Sequence, residues 1–205
     1  MITRKQLSIF EVFVKKPFNE HTRNDIKRAA REKSNNALAL ALKQLKKESV
    51  ITEKKVGRSG VFTLNLDNEL TFYYLALCNE KRINSLVKKS LTNLKKELTE
   101  LTPFYSIVIF GSYATGEEKK ESDLDTAVFI ESNNKKRAEA LINNVKLKSP
   151  INMDVHVITK DEMIEMLTNK EENLGKQIAR KHLAVHNHVI FYDLIKDGFN
   201  NGFRA

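Results

Sequence analysis

The stretch IVIFGSYATGEEKKESDLDTAVFI, Ile107 to Ile130, holds two short apolar runs separated by a Gly-Ser turn and a charged loop. Ile107, Val108, Ile109 and Phe110 are too few for a helix and rich in β-branched side chains, the pattern of a buried strand. Gly111-Ser112 ends that run. Glycine lets backbone N–H groups approach an anion closely, and the serine hydroxyl adds a donor where the chain reads as opening a short helix. In the second run, Leu124 to Ile130, side chains alternate between faces, so Asp123 and Asp125 point one way and Leu124 the other. Two adjacent carboxylates repel, and an oxygen-only pair of this kind calls for a hard divalent ion, magnesium or manganese.

Gly-Ser, ten intervening residues and then Asp-x-Asp on a strand resembles the DNA polymerase β-type nucleotidyltransferase superfamily, and within it the small minimal nucleotidyltransferase domains. Gly111, Ser112, Ala114, Gly116, Ser122, Asp123 and Asp125 fall where that signature places them. Thr115 stands where many members carry arginine, so a basic contact in that loop is absent or supplied from elsewhere. The resemblance implies a third carboxylate on a neighbouring strand. INMDVHVIT, 151–159, offers Asp154, with Asn152 and His156 on its face and Ile151, Met153, Val155 and Val157 facing the core. The rival mid-strand acid is Asp193, in the apolar stretch Val189 to Ile195.

By resemblance, Asp123, Asp125 and Asp154 are catalytic and metal-binding, holding two Mg²⁺ (or Mn²⁺) ions, and Gly111 and Ser112 bind the phosphates of a nucleoside triphosphate, with ATP favoured. The implied reaction moves an NMP from the triphosphate to a hydroxyl acceptor. A protein side chain, as in toxin–antitoxin pairs, is the preferred acceptor; a small molecule and an RNA end are the others. The contrasting expectation is a transcriptional regulator whose nucleotide pocket only senses its ligand.

Charge separates the N-terminal third from the remainder. The net charge is +9, and residues 1–66 hold 15 Lys+Arg against 6 Asp+Glu while 67–205 hold 20 against 20. Such asymmetry suggests a nucleic-acid-binding module joined to a balanced one. Gln6 to Lys15 reads as a helix stopped by Pro17, Thr22 with Asp25 caps a second, and Ser34 caps a third in which Leu38, Leu42 and Leu45 recur at helical spacing. Two short strands then flank VGRSG, a hairpin with Arg58 at its tip. Three helices and a basic hairpin resemble a winged helix-turn-helix domain, which implies DNA contacts from Asn35, Asn36, Ala39, Lys43 and Arg58, with Lys27, Arg28, Arg31 and Lys33 near phosphates. A basic solvated surface on a protein-docking module is the alternative.

The expected fold class is therefore α+β: a winged helix-turn-helix over 1–68, a helical linker over 69–102, and a mixed-sheet α/β nucleotidyltransferase domain over 103–205. In the linker, Leu86, Leu91, Leu94 and Leu98 either pack on the chain's own sheet or form a homodimer. A helix is expected from Lys135 to Leu147, another after the Thr159 to Glu162 capping box, and a further one from about Glu171 to Ala184. Lys176 and Arg180, one turn apart in it, are candidates for reaching a triphosphate, as is His156 for substrate. His182, His186 and His188 read as a surface cluster at a helix end rather than a zinc site. A single cysteine, Cys78, excludes an internal disulfide and a multi-cysteine zinc site. No apolar window is long enough to span a membrane, MITRKQLSIF lacks the pattern of a secretory leader, and a cytoplasmic location is expected.

Overall fold

A computed structural model describes residues 2–57 and 59–204, so Arg58 lies outside the described residues. The chain divides into two compact units, one up to Asn79 and the other from Glu80 onward.

The first unit contains helix α1 (Arg4–Lys15), strand β1 (His21–Thr22), α2 (Arg23–Ala29), α3 (Asn35–Lys47), β2 (Ile51–Val56), β3 (Ser59–Leu64) and α4 (Glu69–Glu80). Local chemistry sets the helix starts. Thr3 with Gln6, and Thr22 with Asp25, form reciprocal capping boxes, and Ser34 accepts from the Ala37 N–H. Phe10, Phe13, Ile26, Leu38, Leu45 and Leu75 are buried together with Cys78. The Phe10 ring meets Tyr74 edge-on at 5.6 Å. The three strands form an antiparallel sheet in the order β1-β3-β2.

The second unit contains α5 (Ser85–Leu101), β4 (Tyr105–Ile109), α6 (Gly111–Thr115), β5 (Leu124–Ile130), α7 (Lys135–Lys148), β6 (Met153–Ile158), α8 (Lys160–Thr168), α9 (Leu174–Arg180), β7 (Leu183–His186) and α10 (His188–Asn200). Its sheet runs β6-β5-β4-β7. Only the β5–β6 pairing is parallel among these, so the sheet is mixed. Every residue of β4 is buried, as a central strand covered on both faces requires. On one face α5 and α7 contribute Leu91, Leu94, Leu98, Ala138, Ile142 and Val145 to a core with Ile107, Ile109, Leu124 and Val128. On the other, Phe191 of α10 stacks on Phe129 of β5 at 5.4 Å.

The helical stretch 69–102 splits between the units: α4 packs with the first, and α5 lines the core of the second. Leu91, Leu94 and Leu98 pack on the chain's own sheet, the first of the two outcomes expected of that stripe, and Leu86 is half exposed. The helix expected to reach Ala184 ends at Arg180, because Leu183 and Ala184 instead pair with β4 as an edge strand. Long-range pairing overrides the local helical pattern there. Val189 to Ile195, read as a strand bearing Asp193, is helical: Asn187 adopts φ 45°, turns the chain out of β7, and donates from Nδ2 to the Tyr105 carbonyl at 2.8 Å. Asp193 therefore lies on α10, paired with Lys196. Among the described residues no helix is long and apolar enough to cross a membrane.

Candidate active site

The turn from β4 into α6 places Gly111 directly against β5. Gly111 has φ +66°, and a Cβ there would lie 2.0 Å from Asp125 Oδ2. Both facts demand glycine at that position. The Phe110 N–H donates to the Asp125 carbonyl at 3.0 Å, which fixes the end of β4 against the start of β5. Gly116, at φ +76°, closes α6, and Thr115 Oγ1 donates to the Ser112 carbonyl at 3.0 Å. The loop that follows is held by Ser122, whose hydroxyl accepts the Lys119 N–H at 2.9 Å.

The carboxylates come from two adjacent strands. Asp125 and Asp154 are register partners across the parallel β5–β6 ladder, so their Cα atoms are about one strand spacing, roughly 4.8 Å, apart. Their register is set by the Leu124 N–H donating to the Asn152 carbonyl at 2.9 Å. Asp123 is exposed just ahead of β5, and Asp154 is likewise exposed. Burial, and then repulsion from Asp154 and Asp123, raises the Asp125 carboxyl above its ordinary range, with His156 opposing. His156 Nε2 sits 3.2 Å from Asp154 Oδ2, and its ring lies 5.8 Å from that of Phe110.

Among the described residues no group of three His, Cys, Asp or Glu side chains is arranged to hold a metal ion as it stands. The donor set nevertheless suits a hard cation: it is all carboxylate oxygen, and Asp154 and Asp123 add to burial in raising the proton affinity of Asp125, a repulsion that a cation relieves. Asp193 takes no part, being on α10.

Other candidates resolve differently. The Lys176 ammonium is buried and donates to the Asn169 carbonyl and, at 2.9 Å, to that of Glu171, so it ties down the loop before α9. Arg180 pairs with Glu172 at 2.7 Å. The three histidines are not a surface cluster: His182 is buried against Phe191 and shares a hydrogen bond of 3.0 Å with the Tyr192 hydroxyl. Burial pushes His182 and His188 down to about 4. Sequence reading missed Arg82, which donates to the Ala114 carbonyl at 2.6 Å and so supports α6. It stands in a Lys-Arg pair between two helices, where nothing in the pattern distinguishes it from surface charge.

A family model described as "Nucleotidyltransferase domain" matches residues 91–186, the span from mid-α5 to the end of β7. The chain is 40% identical over 80 residues to "Putative protein adenylyltransferase MJ1215" of Methanocaldococcus jannaschii, covering 38% of this chain and 91% of that one. The chain belongs to the nucleotidyltransferase-domain family. A second relative from the same organism, "Putative protein adenylyltransferase MJ1379", is 33% identical over 93 residues, covering 44% of this chain and 93% of that one. A solved structure described as a toxin-antitoxin with AMP-PNP aligns over 53% of this chain and 86% of that chain, at 16% identity and a TM-score of 0.34. The nucleotidyltransferase match contains Gly111, Ser112, Asp123, Asp125 and Asp154, and it ends before α10.

Proposed function

We propose that the protein is an adenylyltransferase that moves AMP from ATP to a hydroxyl of a protein side chain. The observation that carries this reading is the register pair Asp125–Asp154, with Asp123 beside it, facing a turn in which Gly111 has no room for a side chain. The protein acceptor is supported by the names that the two archaeal relatives bear. Asp123, Asp125 and Asp154 would hold two Mg²⁺ or Mn²⁺ ions, whose chemistry is to neutralise charge on the triphosphate and on the departing pyrophosphate. Gly111 and Ser112 seat the phosphates. The acceptor oxygen attacks the α-phosphorus, forming the new P–O bond as the bond to the α,β-bridging oxygen breaks and pyrophosphate leaves. The acceptor proton passes to Asp154, whose exposed position leaves it accessible to a second substrate. His156, within 3.2 Å, orients that carboxylate.

Incubation of the protein with α-labelled ATP, Mg²⁺ and protein from its own host tests the reading. Label appearing on a polypeptide is expected. Binding of ATP without transfer to any acceptor would instead favour a nucleotide sensor.

The first unit supports a second, separate activity. Its order of elements and its β1-β3-β2 sheet fit a winged helix-turn-helix, and Asn36 and Lys43 of α3 are exposed. Asn35 is exposed too, but its Oδ1 accepts from Lys27 at 2.6 Å and its carbonyl from Arg23 at 3.0 Å. With the whole net positive charge of the chain in residues 1–66, duplex DNA is the partner this surface fits.

A further inference from the structure

Strand β6 ends the sheet order, so among the described residues one of its two edges has no strand beside it. The Leu124 N–H donates to the Asn152 carbonyl. Because the N–H and C=O of one strand residue point to the same side and alternate along the chain, Asn152, Asp154 and His156 address β5, while Val155 and Val157 turn their backbone groups to the open edge. That edge forms the floor of a groove of about 620 Å³, which includes Val155 to Ile158. Ile142 and Asn143 of α7 form one wall, and Met166 and Leu174 the other. Lys135 and Glu162, ion-paired with each other, both line it. Such a volume suits a short ligand segment, and four floor residues run about 13 Å.

We propose that this groove receives an extended, basic segment of the acceptor polypeptide as an added strand on β6, and so delivers the acceptor hydroxyl to Asp154. The acceptor role rests on the adenylyltransferase reading above. Three observations select this occupant. Regularly spaced unpaired N–H and C=O groups are matched by another polypeptide strand, which is how exposed sheet edges recruit peptides. Glu139 and Glu165 line the groove with no cationic partner among the described residues, so after the Lys135–Glu162 pair cancels, its charge is negative. The groove is also continuous with the catalytic face through His156, which lines it and contacts Asp154 at 3.2 Å. Opposite residues on neighbouring strands project their side chains to the same face about 4.5–5.5 Å apart. A serine, threonine or tyrosine placed opposite Asp154 therefore has its hydroxyl on the face shared by Asp125 and Asp154.

The test uses the full chain with ATP and Mg²⁺ and two sets of twelve-residue peptides, Lys/Arg-rich and Asp/Glu-rich, each with one hydroxyl residue. Basic peptides are expected to bind at least tenfold tighter than acidic ones and to slow amide hydrogen exchange at Val155 and Val157. Glu139→Lys with Glu165→Lys is expected to raise the KM for a basic peptide at least tenfold with ATP affinity unchanged. Val157→Pro, which removes one open-edge N–H, provides a second variant that leaves the wall charges intact. AMP transfer to peptides with unchanged exchange at β6 and an unchanged KM in the charge-reversal variant would overturn the docking proposal while leaving the adenylyltransferase reading standing. Protection of β6 by basic peptides without AMP transfer to any polypeptide would sustain the edge as a docking site and overturn the acceptor reading.

Discussion

Gly111 and Asp125 occupy each other's space: the carboxylate oxygen Oδ2 sits where a side chain on residue 111 would begin, 2.0 Å from the position of a Cβ. A left-handed turn and the carboxylate proposed as catalytic are thereby made one unit, and substitution of the glycine displaces the acid. Gly111→Ala is expected to cost about 1–3 kcal/mol of stability and to abolish nucleotidyl transfer. Gly116 provides the control, since it has φ +76° but nothing within 4 Å of a Cβ. Gly116→Ala should cost only about 1 kcal/mol and retain most activity. Thermal melts with a transfer assay on both variants check this, and equal loss of activity in the two would refute the special pairing.

Asp125 carries a stability penalty as well as a proposed catalytic role. Its proton affinity is raised in the folded protein by burial and by Asp154 and Asp123. The sign follows directly: the folded state holds this proton more tightly than the unfolded one, so stability is fullest below the ordinary aspartate range and declines as pH rises through the raised value. At neutral pH without metal, Asp125→Asn should therefore melt higher than wild type while losing transfer. A lower melting temperature in metal-free buffer would count against mutual repulsion as the feature that a cation relieves.

The role proposed for Asp154 separates binding from chemistry. Asp154→Ala should retain ATP binding through Gly111, Ser112, Asp123 and Asp125 and lose AMP transfer by at least the 10²-fold ascribed to a positioned proton acceptor. Calorimetry of ATP binding beside the transfer assay distinguishes the two steps. Loss of ATP binding in this variant would reassign Asp154 from acceptor activation to nucleotide binding.

Elements whose local pattern agrees with their tertiary role were legible in the sequence. Leu124 to Ile130 forms a strand over those bounds, Lys135 opens α7, and Thr159 with Glu162 caps α8 through the reciprocal box. That Asp154 shares a face with Asp125 followed from alternation once the two strands were taken as neighbours, whereas their direct register depends on pairing between residues far apart in the chain. Residues 183–195 were misread because their fate depends on distant partners: Leu183 and Ala184 gain more by closing the edge of β4 than by extending α9. Asn187, at φ 45°, then makes room for a buried apolar helix whose short hydrophobic run looks strand-like in isolation. Arg82 and the Gly111–Asp125 contact were invisible for a similar reason, since each joins residues well separated in the chain.

Acid should weaken the protein through its buried imidazoles. His182 and His188 are held down to about 4 by burial, against an ordinary value near 6.5. A base with a depressed folded pKa contributes stability that is full above its unfolded value and is lost as pH falls toward the folded one. Between pH 6.5 and about 4 each histidine should remove on the order of 1.4 kcal/mol per pH unit. His182→Gln, which does not titrate in this window, should reduce the slope of unfolding free energy against pH by one proton. A slope identical to wild type would show that His182 accepts its proton without unfolding.

Duplex DNA binding by the full chain is the remaining expectation, and salt is its most direct probe. A surface that neutralises several phosphates releases their counterions, so affinity should fall steeply, by about 10³-fold or more for six contacts, between 50 and 200 mM salt. Lys43 is exposed on α3, and Lys43→Ala should lower the magnitude of the salt slope by about one contact, uniformly across sequences. Asn36→Ala, on the same helix, should instead change the preferred sequence, at about 1–3 kcal/mol of discrimination if it reads a base edge in the major groove. A folded protein that shows no DNA binding at 50 mM salt would make the basic face of the first unit a solvated or protein-docking surface.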